Sequence, residues 1–194
     1  MITRILTTML LLIASFGASV SASAARLDVN LNQDSARFTY YSLIGGSTYG
    51  RTEMSTGLLY NEDKNYLLEL GMQVVDVAGS ESPGLEIGVG PKLYYTFDDE
   101  TDVTGLSIAI GGIIRYSLPQ LPRLALQGSL YYAPSITSTL DTNSFLEYGA
   151  RVAYEILPTA NIYLGYRRIR IDYTKGVGSH TLDDGAMLGM DFSF

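Results

Sequence analysis

The chain has 194 residues, 13 basic and 20 acidic, a formal net charge of −7 and no cysteine. That acidic balance argues against nucleic acid as a partner. The missing cysteines exclude a disulfide framework and any thiolate metal centre.

Residues 1–24 read as a cleaved signal peptide. Arg4 gives a positive start, residues 5–16 an apolar run, and Ala22-Ser23-Ala24 a small-residue cleavage site. The apolar run is shorter than the ~20 residues that cross a bilayer as a helix. No cysteine follows it, so a lipoprotein leader is not expected. Residues 25–194 form one expected domain with 12 basic and 20 acidic residues, a net charge of −8. No stretch in it reaches the ~18 apolar residues of a transmembrane helix, so any membrane crossing must be made by strands.

Apolar residues recur at every second position in segment after segment, which places them on one face of successive strands. Leu27, Val29 and Leu31 alternate with Asp28, Asn30 and Asn32 in the first. The second, residues 36–44, is ambiguous in phase. The third, 53–60, sets Met54, Thr56, Leu58 and Tyr60 against Ser55, Gly57 and Leu59. In the fourth, Leu68, Leu70, Met72 and Val74 oppose Glu69, Gly71 and Gln73. In the fifth, Ile87, Val89, Leu93 and Tyr95 oppose Glu86, Gly88, Gly90, Lys92 and Tyr94. Pro91 falls inside this pattern; it cannot donate to a ladder, so a bulge or kink is expected there.

The sixth strand sets Ile108, Ile110 and Ile114 against Ser107, Ala109, Gly111 and Arg115. The seventh sets Leu124, Leu126 and Leu130 against Arg123, Gln127 and Tyr131. The eighth sets Leu146, Tyr148, Val152 and Tyr154 against Glu147, Gly149, Arg151 and Glu155. The ninth begins with Ile162, Leu164 and Tyr166 outside, but Ile169, Ile171 and Tyr173 are apolar on the other parity. Either a β-bulge near Arg167-Arg168 restores the phase, or the strand leaves the bilayer there. The tenth, 183–194, ends in Phe192-Ser193-Phe194, resembling the closing strand whose last aromatics are read during outer-membrane barrel assembly.

The expected fold is therefore all-β, an antiparallel transmembrane β-barrel of about ten strands, with eight as the alternative if the first hairpin is peripheral. Three features favour a membrane barrel over a soluble sandwich. The strands exceed the roughly five or six residues usual in globular sheets. The apolar set carries almost no charge, whereas the interleaved set is rich in glycine and charge. Aromatics gather at strand ends, Tyr60, Tyr66, Tyr95 and Tyr132 near one rim and Tyr116, Tyr154, Phe192 and Phe194 near the other. Short proline-bearing connections at 118–122 and 158–159 place the carboxyl end in the periplasm. The segments 61–65, 98–103, 135–143 and 174–182 then become outer loops.

The motifs Leu130-Tyr131-Tyr132-Ala133-Pro134-Ser135, Tyr148-Gly149-Ala150-Arg151, Leu164-Gly165-Tyr166-Arg167 and Met190-Asp191-Phe192-Ser193-Phe194 resemble the YfaZ family of bacterial outer-membrane proteins. Arg168 departs from the pattern, where an aromatic is expected. The resemblance implies a barrel in the outer membrane of a Gram-negative bacterium, and it brings no catalytic residues or cofactor.

The inward set carries the candidate site. Asp28, Glu69, Glu86, Glu147, Glu155 and Asp191 stand against Lys92, Arg115, Arg123, Arg151 and Arg167. Residues four apart on a strand are ~13 Å apart, so these charges are expected to pair with neighbouring strands. They form either a filling network or the charged constriction of a narrow pore. His180, the single histidine, is expected in an outer loop beside Ser179, a poor arrangement for a nucleophile and its base. The acidic run Asp98-Asp99-Glu100 with Asp102 matches no calcium-loop spacing and reads as a solvated loop tip. The expected function is a structural or surface-interaction barrel without enzymatic activity, metal or cofactor. A small-solute channel is the alternative. Expected partners are outer-membrane lipid, the barrel assembly machinery through Phe192 and Phe194, and at most small solutes.

Overall fold

The computed structural model describes residues 24–47, 50–78, 84–99, 103–174 and 178–194. The signal peptide, apart from Ala24, lies outside the described residues, as do Glu100 and Asp102. The elements are β1 (Ala25–Leu31), β2 (Ser35–Ser47), β3 (Gly50–Asn61), β4 (Tyr66–Val77), β5 (Leu85–Asp98), β6 (Val103–Ser117), β7 (Leu124–Ala133), β8 (Ser138–Leu140), β9 (Thr142–Leu157), β10 (Ala160–Tyr173) and β11 (Ser179–Ser193).

Each long strand pairs antiparallel with its chain neighbour, and β1 closes onto β11 through Arg26↔Ser193 to Leu31↔Leu188. The result is a closed barrel of ten long strands. β8 is a three-residue piece on the outer side that pairs with Gly105–Ser107 of β6. The first hairpin is part of the wall, because β1 pairs with β2 along its whole length as well as with β11. That decides ten strands over eight. Closure leaves no free sheet edge at membrane depth, which is what lets strands cross lipid.

The outward set forms the lipid face. Leu70, Met72, Val89, Ile108, Ile110, Leu130, Leu164 and Leu188 are all exposed on the barrel wall. A soluble protein rarely exposes a contiguous apolar surface of more than a few hundred Å². Inside, buried Asp28, Glu69, Lys92, Glu147, Arg167 and Asp191 take the positions a soluble core would give to aliphatic side chains.

Three local expectations change. Residues 36–44 belong to the longer β2, in which Ser35, Arg37 and Thr39 are buried and Phe38 is exposed, so the odd positions face inward. At Pro91 there is no bulge. The β4–β5 ladder skips from Gly71↔Lys92 to Val74↔Val89 in unchanged register, while Pro91↔Ile110 persists on the β6 side. The missing donor leaves a local gap in the ladder on one side, with the register kept on both. His180 and Thr181 belong to β11, paired with Ile171 and Arg170, where an outer loop was expected.

The phase change in β10 is not repaired by a bulge at Arg167-Arg168. Tyr163, Arg167, Ile169, Ile171 and Tyr173 are all buried, so one parity faces inward from end to end. The register shift lies between Ile169 and Arg170, beyond Arg167-Arg168, and it inserts Leu182 as an extra residue on β11. What reverses is the chemistry. On the outer third of the strand, Arg168, Arg170 and Asp172 face outward while the isoleucines face in. Charges there cannot face hydrocarbon, so this part of the wall stands in water beyond the Tyr148 and Tyr166 girdle. Its interior is a dry cluster of Leu59, Leu67, Phe145, Ile169, Ile171 and Tyr173, packed as in a soluble protein.

Candidate functional site

The lumen beneath that apolar cluster is crossed by ion pairs in layers. Arg37 of β2 is the hub of the layer directly below it. Its Nη1 donates to Glu147 Oε1 at 2.6 Å and its Nη2 to Glu69 Oε2. Lys92 Nζ approaches the same Glu69 oxygen at 3.4 Å, and Tyr94 Oη donates to Glu147 Oε2 at 2.5 Å. Lys92 also sits 4.3 Å from the centre of the Tyr131 ring. Two cations thus face two carboxylates, all removed from water, so charge is balanced within the layer. The Tyr94 ring stacks on Phe145 at 4.2 Å, which joins this polar layer to the apolar cluster above.

A second group ties β1, β2, β10 and β11. Arg167 donates to Asp183, and to Asn30 Oδ1 at 2.7 Å. Ser35 and Asn32 donate to the same Asp183 carboxylate at 2.7 and 3.0 Å. Nearer the periplasm, Arg151 Nη1 donates to Asp28 Oδ2 at 2.6 Å, and its Nε and Nη2 reach Gln127 Oε1. Tyr163 donates to Asp28 at 2.5 Å, with the Arg151 guanidinium 4.2 Å over its ring. At the periplasmic mouth Arg51 joins Glu53 at 2.7 Å and Glu86 at 2.9 Å.

Inward glycines make room for these long side chains. Gly57 is the register partner of Glu69, Gly71 of Lys92, Gly111 of Tyr131 and Gly189 of Tyr163. A Cβ on Gly57 would lie 2.7 Å from Glu69 Cγ, and one on Gly189 would lie 2.2 Å from Tyr163 Cζ. Glu69, Lys92, Tyr131 and Tyr163 each therefore stand beside a neighbour without a side chain, and the space that glycine opens is filled.

Of the residues expected in the lumen, Glu69, Lys92 and Glu147 meet in one layer, Arg151 meets Asp28, and Arg167 meets Asp183. Asp191 accepts from Asn161 Nδ2 at 2.8 Å. Glu86, Arg115 and Glu155 are half-buried toward the periplasmic mouth, and Arg115 is the register partner of Glu86. Arg123 does not join them. It is exposed in the turn before β7, where only its carbonyl is used, accepting from Glu155 N at 2.8 Å. Strand alternation cannot be extended one residue past the end of the ladder. A further correction concerns partners: Glu147 on β9 reaches Arg37 on β2, and Arg151 reaches Asp28 on β1, so these bridges span the lumen and do not run between adjacent strands. Arg37 itself was hidden, because apolar residues occur on both parities of β2. Tyr94, Tyr131 and Tyr163 were legible only as inward positions; a large side chain opposite an inward glycine is the signal that finds Tyr131 and Tyr163, whereas Tyr94 lies opposite Glu69 and Ser107.

Among the described residues, no three His, Cys, Asp or Glu side chains are placed to hold a metal ion. Two cavities lie among the described residues of the lower lumen. One of about 80 Å³ lies among the layers, lined by Arg26, Tyr41, Gln73, Lys92, Tyr131 and Arg151 among others. The second, about 210 Å³, lies at the periplasmic mouth and shares Arg26 and Tyr41 with the first.

A family model described as YfaZ precursor matches residues 3–194. The outer membrane protein YfaZ of Escherichia coli (strain K12) is 27% identical over 175 residues, covering 90% of this chain and 92% of that protein. Among solved structures, a KdgM porin in complex with disordered oligogalacturonate is similar at a TM-score of 0.45 and 11% identity, covering 88% of this chain and 99% of that one. A bacterial polysaccharide outer membrane secretin gives a TM-score of 0.48 and 12% identity, covering 90% of this chain and 66% of that one. The chain belongs to the YfaZ family and is a β-barrel of the Gram-negative outer membrane.

Proposed function

We propose that this barrel is a structural or surface-interaction element of the outer membrane, with a filled lumen and no enzymatic activity of its own. One observation carries the reading: the apolar cluster around Phe145, Ile169, Ile171 and Tyr173 spans the outer end of the lumen above a charge-balanced, cross-braced polar layer. An ion passing outward would have to leave that layer and cross a dry constriction, which is unfavourable by hydration alone. The partners of this reading are the surrounding lipid and the machinery that inserts barrels, with Phe192 and Phe194, both exposed on the periplasmic rim, as the residues it reads.

A narrow small-solute channel is the second reading, favoured by the polar-lined cavity among the layers and its neighbour at the periplasmic mouth. Planar-bilayer recording separates the two. The purified refolded barrel should leave the bilayer silent; steady unitary steps in simple salt would establish the channel and remove the filled-lumen reading.

A further inference from the structure

We propose that the periplasm-facing part of the lumen is a binding site for a small oxyanion, a carboxylate or phosphate, held by Arg26. This inference rests on the filled-lumen reading for its geometry, since a lumen closed on the outer side makes the cavity a blind pocket loaded from the periplasm.

The argument is an imbalance between donors and acceptors. The two carboxylates on the wall of the inner cavity are already engaged. Asp28 accepts from Arg151, Asn30 and Tyr163, and Glu147 accepts from Arg37 and Tyr94. Arg26 is not engaged in the same way. Its nearest carboxylate contact is Nη2 to Glu53 at 3.9 Å, beyond hydrogen-bonding distance, and its Nε is buried without a hydrogen-bond partner. Glu53 meanwhile takes closer bonds from Arg51 at 2.7 Å and Gln73 at 3.2 Å. The Arg26 guanidinium lies 4.2 Å over the ring of Tyr41, which fixes its plane. This pair lines both cavities. Gln127 and Ser129 lie along the same wall and add polar side chains.

A planar guanidinium held over Tyr41, with no carboxylate within hydrogen-bonding distance, matches an oxyanion. A cation would meet no available carboxylate on this wall, and an apolar ligand would leave the Nε buried and unpaired. The inner cavity, about 80 Å³, has room for a group of a few heavy atoms. That size fits acetate or phosphate and excludes a saccharide chain.

The test uses the complete folded barrel in detergent or nanodiscs, titrated separately with inorganic phosphate and acetate over a chloride background. Calorimetry should show one saturable site for at least one anion. Arg26→Gln should weaken that affinity about tenfold or more, the usual size of a lost charged hydrogen bond. Ser129→Leu, which fills the cavity without altering charge, should abolish binding, whereas Arg168→Gln on the outer surface should leave it unchanged. Comparable affinity in wild type and both lumen variants would overturn the site, as would no heat from either anion up to millimolar concentration. Vesicles loaded with phosphate keep the two proposals apart. Leakage through the barrel would refute the closed lumen while the calorimetric result still judges the Arg26 site.

Discussion

Arg37 shows how much of the interior rests on single side chains. Its guanidinium is the shared partner of Glu69 and Glu147, and both carboxylates are nearly inaccessible. Removing one member of a buried ion group strands the others, a cost of about 3–5 kcal/mol, whereas replacing the group by neutral residues of similar shape is far milder. Arg37→Ala should therefore lower the unfolding free energy in lipid vesicles by that amount. Adding Glu147→Gln in the same chain, which leaves Lys92 facing Glu69, should recover most of the loss. Gly189 makes the complementary point about volume. Any side chain there meets the Tyr163 ring, so Gly189→Val should destabilise by about 1–3 kcal/mol. Tyr163→Ala in the same chain should relieve the clash, and a double-mutant cycle by denaturant titration would show the coupling as strongly non-additive.

At the level of the strand, β9 and β10 contrast lipid and water on one continuous wall. Val152 is exposed on the outward face of β9 while Arg151 points in to Asp28. A cation on the lipid face near the midplane costs about 2–4 kcal/mol. Val152→Arg should destabilise the barrel by that much, and Val152→Leu should not. If the two variants unfold at the same denaturant concentration, the inward register derived for β9 is wrong. Arg151→Val should lower stability through the stranded Asp28 without opening a conductance. Further along the wall, Arg170 faces water and its Nε meets Asp172 at 3.3 Å. Exposed pairs of this kind contribute at most ~1 kcal/mol, so Arg170→Leu should scarcely move the unfolding curve. The same cationic chemistry is costly at one height and nearly neutral a few residues higher.

For the whole molecule, the consequence is a barrel that changes character along its axis. Its lower part is apolar outside and polar inside; its outer part reverses both, and on the filled-lumen reading proposed above the apolar cluster there is the closure. Thinning the closure should therefore convert the barrel into a pore. Ile171→Gly combined with Phe145→Ala removes two fully buried side chains from the apolar cluster. This variant should give unitary steps in planar-bilayer recording where the wild type gives none. If it folds and stays silent, the apolar cluster is not what blocks the lumen.

The sequence by itself determined the architecture, because a period-two pattern repeated through the chain has one economical solution in lipid. Hairpin order and the inward parity of β9 were readable from residues 27–194, the strand count was narrowed to ten or eight, and the phase change at Arg168 was visible. Those are local properties: they depend on which face of its own strand a residue occupies. Pairing was not readable. Glu147 finds Arg37 across 110 positions and Arg151 finds Asp28 across 123, over the lumen and not along the wall. Such contacts exist only once closure sets the diameter and the register of every strand. Tertiary structure alone therefore decided that the inward charges brace the lumen, that glycine space is filled by the neighbour opposite, and that Arg26 has only a long contact to Glu53. The physical reason is that alternation fixes direction, whereas distance across a barrel is a property of the closed ring.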